Sequence, residues 1–233
     1  MVLGVTISSL SHQEISSLAR GFLTEPRFHR IATVNPEFLL LAEKNAAFKQ
    51  SLMDADLRVA DGFGIVLTAF LQGKKLTRFP GADLLSEILC LAQEQKLLVY
   101  LALRQGGLSS YQETKVALLK KYPALVVHGS EIEVAALKNW DLTIRNSVII
   151  LCNFGAPEQE LFLQMKQHCF PEARLAMGVG GSFDYLTGKL PRAPKLLRIC
   201  GLDWCWRLAL QPKRWKRIWN AVIVFPFKIF IQK

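Results

Sequence analysis

Short, strongly apolar segments alternate along this chain with longer segments whose apolar residues recur at helical spacing. This alternation restricts the fold more than any single motif does, because parallel strands need a crossover between them, and that crossover is usually a helix. The pattern predicts an α/β fold, a Rossmann-like, mainly parallel sheet with helices on both faces. The expected strands lie at residues 2–7, 30–34, 97–102, 125–128, 148–152 and 175–179, with a further short one that stops at Asp61.

Asp61 ends its expected strand and is followed by Gly62 and Gly64 at the start of an apolar helix. Ligands of open α/β sheets bind outside the carboxyl ends of the strands, so a carboxylate at this turn is a candidate catalytic residue. A second interpretation is that Asp61 caps the helix at residues 62–71, because Asp is a preferred N-cap residue. The local sequence alone favours capping.

Thr33 and Asn35 lie at the end of the strand expected at residues 30–34. Alternate residues of an extended segment face the same side, so both side chains are candidates for the crevice. Pro36 suits the first turn of the next helix, and Asn35 is equally well explained as the cap of that helix.

The formal net charge of +10 is concentrated near the C-terminus. Residues 189–233 contain eleven Lys and Arg residues but a single acid, Asp203, so residues 1–188 carry eighteen residues of each sign. Four of the five tryptophans also lie after position 200. We therefore expect an α/β core at residues 1–194, followed by a basic, Trp-rich helical C-terminal appendage at residues 195–233.

The appendage has the pattern of an amphipathic helix. Its apolar run at residues 221–227 is much shorter than the roughly 20 residues that a membrane-spanning helix needs. We therefore expect the appendage to lie on an anionic membrane surface without crossing it. Arg214 and Arg217 are one turn apart on the face beside a helical stripe made of Trp215, Ile218, Trp219 and Val222.

Two other partners compete for the appendage. An amphipathic helix also packs on a protein body, although the charge asymmetry argues against this. Basic residues among aromatic ones also bind single-stranded nucleic acid, but such a site would spread positive charge onto the body. The body is neutral, so no nucleic-acid partner is expected.

The sequence patterns that bear on cellular location and on cofactors are less specific than the charge distribution. The N-terminus lacks a signal-peptide pattern and the five cysteines have no CxxC spacing, which favours the cytoplasm. Asp54-Ala55-Asp56 matches a short metal-binding pattern that arises often by chance, so no metal site is expected. The turn at Gly180 and Gly181 lacks the last glycine of a dinucleotide fingerprint, yet it suits either a bound phosphate or a plain tight turn.

Read in order, the motifs resemble the WecG/TagA/CpsF family of glycosyltransferases over nearly the whole chain. The matching residues are Thr33-Val34-Asn35-Pro36, Ala55-Asp56-Leu57, Asp61-Gly62-Phe63-Gly64, Arg78, Gly81-Ala82-Asp83-Leu84, Tyr122-Pro123, Gly155-Ala156-Pro157-Glu158-Gln159-Glu160, Gly178-Val179-Gly180-Gly181-Ser182-Phe183-Asp184, Gly188, Arg192-Ala193-Pro194, Gly201-Leu202-Asp203-Trp204, Arg207-Leu208, Pro212, Arg214 and Arg217.

The resemblance implies an inverting, metal-independent enzyme without a cofactor, peripheral on the inner face of the cell membrane. Such an enzyme moves N-acetylmannosamine or its uronic acid from a UDP donor to a polyprenyl-diphosphate-linked N-acetylglucosamine, for a cell-surface polysaccharide. By position, Asp61 corresponds to the general base, Thr33 and Asn35 to an active-site polar pair, and Arg78 and Gln159 to further site residues. The appendage arginines, thought to close over the site at the membrane, correspond to Arg207, Arg214 and Arg217.

Elementary chemistry fits this assignment. The attacking hydroxyl needs a carboxylate to take its proton, and the departing diphosphate needs arginine or backbone donors if no metal is present. Because several of those arginines lie in the appendage, we expect docking on lipid to complete the active site.

Three departures from the family pattern stand out. Glu158 replaces the usual lysine, Asp203 replaces the commoner glutamate, and residues 103–107 replace a glycine-rich turn. Glu158 and residues 103–107 put the sugar identity in question, and the reaction class stays in place. Alternatives that remain open are a nucleotide-binding relative without transfer activity, a membrane-docking module and, more distantly, an oxidoreductase. The oligomeric state also stays open, with a homo-oligomer among the options.

Overall fold

Six strands form one fully parallel sheet in the computed structural model, which describes residues 1–231. Their order across the sheet is β2-β1-β6-β5-β3-β4. The α/β fold with a parallel sheet is therefore confirmed. The strands are β1 (His29–Val34), β2 (Leu57–Ala60), β3 (Leu98–Arg104), β4 (Val126–Ile132), β5 (Ile149–Cys152) and β6 (Leu175–Gly178).

α-Helices connect all consecutive strands except β4 and β5, and they continue past the last strand. Two of them, α1 and α6, begin with capping boxes, made by Ser11 with Glu14 and by Ser110 with Glu113. The helices are α1 (His12–Phe22), α2 (Pro36–Lys44), α3 (Ala46–Met53), α4 (Phe63–Leu71), α5 (Gly81–Glu94), α6 (Tyr111–Lys121), α7 (Glu158–Met165), α8 (Ser182–Leu186), α9 (Lys195–Ile199), α10 (Asp203–Leu210), α11 (Trp215–Trp219) and α12 (Phe225–Ile231).

Apolar side chains from both faces of the sheet are buried under helices, as the sequence predicts. Ile31 and Val59 belong to a core shared with α1, α5, α6 and α8. The next residues along the same strands, Ala32 and Ala60, point the other way and pack with α2, α3, α4 and α12. This alternation follows from the two-residue period of a strand. Helix α7 covers the other half of that second face.

The strand expected at residues 2–7 is absent from the structure. Val2 and Val5 form an isolated bridge across a tight turn, in which Leu3 and Gly4 both have positive φ. Val2, Val5 and Ile7 are nevertheless buried against α2 and α3. The apolar pattern correctly indicated burial, but it could not show that the chain reverses at Gly4 instead of joining the sheet.

The C-terminal helices dock on the body. Phe225 and Ile229 are buried in the core cluster that contains α2 and α3. A π-helical turn (Asn220–Val224) precedes Pro226, which has no N–H to donate to the preceding turn. Residues 232–233 of the predicted appendage lie outside the described residues. Over residues 1–231, no helix combines the length and the apolar character needed to cross a bilayer.

Candidate active site

A cleft of about 530 Å³ lies at the carboxyl edge of the sheet. Five strands end there, so the residues that end or follow them meet at its floor. These residues are Thr33 from β1, Asp61 after β2, Arg104 from β3, Asn153 after β5 and Val179 after β6. Ligand sites of open parallel sheets lie at this edge.

All ten residues that the sequence analysis selected line this one cleft. Each keeps its proposed role as a prediction, but their convergence from distant parts of the chain makes the cleft the candidate active site. They are Thr33, Asn35, Asp61, Arg78, Gln159, Gly180, Gly181, Arg207, Arg214 and Arg217.

Asp61 does not cap α4. The N-cap residue of that helix is Gly62, which makes no side-chain capping bond. Instead, Asp61 Oδ1 accepts a hydrogen bond of 2.9 Å from the backbone N–H of Gly81. The capping interpretation favoured by the local sequence was therefore wrong. The Asp61 carboxylate bonds a backbone N–H twenty residues away instead of the first turn of α4. That donor fixes the carboxylate in the cleft.

Burial raises the pKa of Asp61 to about 6, from an ordinary value of 3.8. The Gly81 N–H and the charges of Arg207 and Arg78 oppose this shift, while Asp203 adds to it. A carboxylate with this pKa is mostly ionised at pH 7 and is also a stronger proton acceptor than an ordinary aspartate.

Thr33 and Asn35 flank Asp61 at the end of β1. A Cβ atom built on Gly81 would lie 3.2 Å from the Thr33 hydroxyl oxygen, so glycine lets α5 begin directly against this side chain. Asn35 Oδ1 accepts a 3.1 Å hydrogen bond from Phe38 N, which makes Asn35 the cap of α2. The capping interpretation of Asn35 is confirmed, and the residue also lines the cleft.

Gln159 connects two loops of the cleft floor. Its Oε1 atom accepts hydrogen bonds of 3.2 Å from both Gly155 N and Gly180 N, and its Nε2 atom donates to Glu160 Oε1 at 2.7 Å. Burial raises the pKa of Glu160 to about 8, so this carboxyl is mainly neutral at pH 7. A side chain at Gly178 would overlap both Gln159 and Glu160. The Gly180 N–H therefore already has an acceptor within the protein, Gln159 Oε1.

Arg78 joins the body to the appendage. Its guanidinium donates at 2.6 Å to the Arg198 carbonyl oxygen and at 2.8 Å to Asp203 Oδ1. Its Nε atom is buried and has no hydrogen-bond partner among residues 1–231. Arg78 therefore holds α9 and α10 beside the cleft as well as contributing positive charge to it.

The appendage arginines differ in their surroundings. Arg207 lies 5.4 Å from the centre of the Tyr185 ring. Burial lowers the pKa of Arg214 below its ordinary value, and the neighbouring Arg217 and Arg207 lower it further. Arg217 forms a double hydrogen bond to Glu37 at 2.6 and 2.8 Å, and this contact raises its pKa. A repulsive group of cations at the cleft mouth suits a multiply charged anion.

The Asp54-Ala55-Asp56 pattern lies at the opposite end of β2 from the cleft. Asp56 accepts hydrogen bonds from the Arg27 guanidinium at 2.8 Å and from the Arg30 backbone N–H at 2.9 Å. It therefore fastens β1 to β2. Among residues 1–231, the one cluster of three side chains with metal-ligand spacing is Asp141, His168 and Cys169, and none of these lines the cleft.

A family model described as "Glycosyl transferase WecG/TagA/CpsF family" matches residues 1–233. The chain belongs to this family. The resemblance noted from the motifs is thereby confirmed over the full length of the sequence.

Two Bacillus relatives of this WecG/TagA/CpsF protein carry the name N-acetylglucosaminyldiphosphoundecaprenol N-acetyl-beta-D-mannosaminyltransferase. The protein of Bacillus subtilis (strain 168) is 30% identical over 192 residues, which cover 81% of this chain and 74% of the relative. That of Bacillus spizizenii (strain ATCC 23059 / NRRL B-14472 / W23) is 30% identical over 214 residues, covering 88% of this chain and 80% of the relative.

Several cleft residues of this WecG/TagA/CpsF protein were not assigned a role from the sequence. Arg192 belongs to a matched motif and could have been found from it, and its guanidinium pairs with Asp83 at 2.6 Å. The place of Asp203 opposite Arg78 depends on a contact between residues 125 positions apart, which no local pattern encodes. Further unassigned residues of the cleft include Arg104, Asn153, Tyr185, Arg198 and Trp206.

Proposed function

We propose that this chain transfers N-acetylmannosamine, or its uronic acid, from a UDP donor to a polyprenyl-diphosphate-linked N-acetylglucosamine. The reaction serves the synthesis of a cell-surface polysaccharide at the inner face of the cell membrane. The names of the two Bacillus relatives support the transferred sugar and the acceptor. The membership of the glycosyltransferase family supports the reaction class.

The observation that carries the proposal is the place of Asp61. This carboxylate lies on the floor of the cleft, where the charges of Arg207 and Arg78 act on it, and burial raises its pKa to about 6. In the proposed reaction, an acceptor hydroxyl attacks the anomeric carbon, the bond from that carbon to the UDP oxygen breaks, and Asp61 takes the hydroxyl proton. A β product from an α-linked UDP donor requires one such displacement with inversion. Thr33 and Asn35 orient the acceptor beside Asp61.

The leaving diphosphate is neutralised without a metal in this proposal. Arg207 and Arg214 supply positive charge at the cleft mouth, and Gly181 with its neighbouring turn supplies backbone donors. Arg78 and Arg217 already pair with Asp203 and Glu37, so we assign them to holding the appendage over the cleft as well as to binding substrate. Gln159 acts by positioning the loops at Gly155 and Gly180.

The proposal is tested by UDP release from a panel of UDP-sugars in the presence of EDTA, with and without a short-chain polyprenyl-diphosphate-N-acetylglucosamine. We expect one donor to release UDP only when the acceptor is present. Activity that persists in EDTA would support a metal-independent reaction, and the anomeric configuration of the product, measured by NMR, tests inversion. If the protein binds UDP but no donor and acceptor pair gives release, the chain is a nucleotide-binding relative without transfer activity, and the proposal is wrong.

A further inference from the structure

Helix α4 leaves the cleft and exposes an apolar stripe on the surface of the α/β body. Its nine residues include no charged side chain. Ile65, Thr68 and Ala69 are buried, but Phe63 and Leu67 are more than 40% exposed, and Phe70 is 73% exposed. Phe63, Leu67 and Phe70 follow the spacing of one helical face. We call these three residues the α4 stripe.

Apolar side chains of the appendage continue the α4 stripe on both of its sides. The Phe63 ring lies so close to Gly201 that no side chain would fit there, which places the end of α9 beside α4. Leu196 and Ile199 of α9 are about 70% exposed. On the other side, a Cβ atom built on Gly64 would lie 4.0 Å from the Phe225 ring, and the exposed Phe227 and Phe230 follow in the same helix.

Lysines flank the α4 stripe. Between Asp61 and Asp83 the sequence contains no acid, whereas Lys74 and Lys75 follow α4 directly and are exposed. Lys195 is exposed at the start of α9. An apolar stripe bordered by lysines complements a surface with an apolar interior and anionic headgroups.

We propose that α4 is a second membrane-docking element, in which Leu67 and Phe70 enter an anionic lipid surface beside the appendage. This inference rests on the proposed function, because it takes the appendage to meet the membrane. The inference adds a second membrane contact, which the α/β body makes through α4. Because α4 starts two residues after Asp61 and Phe70 lies roughly 10 Å along it, docking sets the height of the proposed catalytic carboxylate above the lipid. A lipid-linked acceptor then presents its diphosphate at the level of the cleft.

The inference is tested with the full-length chain and the double variant Leu67→Glu, Phe70→Glu. Val116→Glu on α6 is the matched control, since Val116 is 66% exposed on a helix that packs on the opposite face of the sheet. A second variant, Trp215→Glu, Trp219→Glu, tests the appendage separately. Co-sedimentation is measured with phosphatidylcholine vesicles that contain no or one-third phosphatidylglycerol, and light scattering gives the oligomeric state.

We expect the α4 variant to partition onto the anionic vesicles roughly tenfold or more weakly than the wild type, because the apolar contacts of Leu67 and Phe70 with lipid are lost. The control should bind like the wild type, and transfer to a water-soluble short-chain acceptor should persist in the α4 variant. If the tryptophan variant loses vesicle binding while the α4 variant keeps it, the inference is wrong and the proposed appendage docking stands.

Two further outcomes also overturn the inference. If the α4 variant changes the oligomeric state while vesicle binding persists, the α4 stripe joins two copies of the chain. If the wild type binds no vesicles but still transfers sugar, the proposed transferase activity stands and both docking contacts are wrong. A circular dichroism spectrum of each variant shows whether the fold is intact. If the double variant is unfolded, Phe70→Ser alone provides the same comparison.

Discussion

At the scale of single residues, the burial of Asp61, the proposed general base, affects the stability of the folded protein. Folding favours its neutral form, because the pKa in the folded protein, about 6, exceeds the ordinary value of 3.8. The resulting stabilisation is full below pH 4 and is lost as the pH rises through 6. At neutral pH the ionised carboxylate is therefore a cost to folding, which is typical of a group that is kept for catalysis.

The first prediction concerns Asp61→Asn. An amide keeps the acceptor for Gly81 N but cannot take a proton, so kcat should fall by about 10²- to 10⁴-fold. Above pH 6 the variant should be more stable than the wild type by about 1–3 kcal/mol, since no charge is buried. Thermal unfolding at pH 7.5 and at pH 4 measures this difference, which should disappear at pH 4. Unchanged activity would remove Asp61 as the base.

The second prediction is the pH profile of the wild type. If Asp61 is the proposed base, only its ionised form is active, and kcat/KM should fall about tenfold per pH unit below pH 6. The profile is measured with a saturating acceptor and a limiting UDP-sugar. A profile that stays flat down to pH 5 would contradict a base with this pKa.

The third prediction concerns Gln159→Leu. The change leaves the N–H groups of Gly155 and Gly180 without their acceptor, so the free energy of unfolding should fall by about 1–3 kcal/mol and KM should rise. Gln164→Leu on the same helix is the control, because Gln164 bonds only the exposed Asp54 among residues 1–231. Equal effects of the two changes on KM would contradict a positioning role for Gln159.

At the scale of elements, the appendage is held on α2 by two ion pairs and a buried phenylalanine. Arg217 pairs with Glu37 in the first turn of α2, and Lys228 pairs with Glu43 at 2.7 Å in the last turn of α2. Exposed pairs of this kind contribute little, about 0–1 kcal/mol each. Burial of Phe225 contributes more, so the ion pairs mainly set the orientation of the helices.

The fourth prediction separates docking from substrate binding by Arg217. Arg217→Glu should lower kcat/KM, and the charge reversal Arg217→Glu with Glu37→Arg should restore the docking measured by thermal unfolding. Activity should stay low in the double variant if the Arg217 charge also meets substrate. Lys228→Glu is the control for docking alone, since Lys228 does not line the cleft. If it lowers activity as much as Arg217→Glu, the role of Arg217 is docking.

At the scale of the whole molecule, one open cleft contains charges from both parts of the chain. Body residues such as Asp61 and Arg104 lie opposite appendage residues such as Arg207 and Arg214. A site of this construction is sensitive to how firmly the appendage is seated. We expect the site to exclude water best when the appendage is held against a surface.

The fifth prediction follows from that sensitivity. Anionic vesicles should raise the rate of transfer to a short-chain acceptor severalfold, although this acceptor is itself soluble, and should lower donor hydrolysis without acceptor. Both rates are measured by UDP release, with neutral vesicles as the control. Stimulation that is equal with both vesicle types would attribute the effect to something other than anionic docking.

Much of this protein follows from its sequence. Strand and helix periods predicted the parallel sheet, and the order of short motifs identified the family, because both signals are local and repeat along the chain. The carboxyl-edge rule selected Asp61, Thr33 and Asn35 as candidates, since it needs only the strand ends. The separation of charge set the appendage apart from the body.

The tertiary structure decided what depends on distant contacts. It showed that Asp61 bonds Gly81 and does not cap its own helix, that Arg78 reaches Asp203, and that residues 2–7 turn back instead of forming a strand. It also buried Phe225 while leaving Phe70 exposed. Hydrogen-bond partners and burial depend on residues that come together only in the folded chain. Local sequence patterns therefore indicate candidate partners and candidate buried residues but do not select among them.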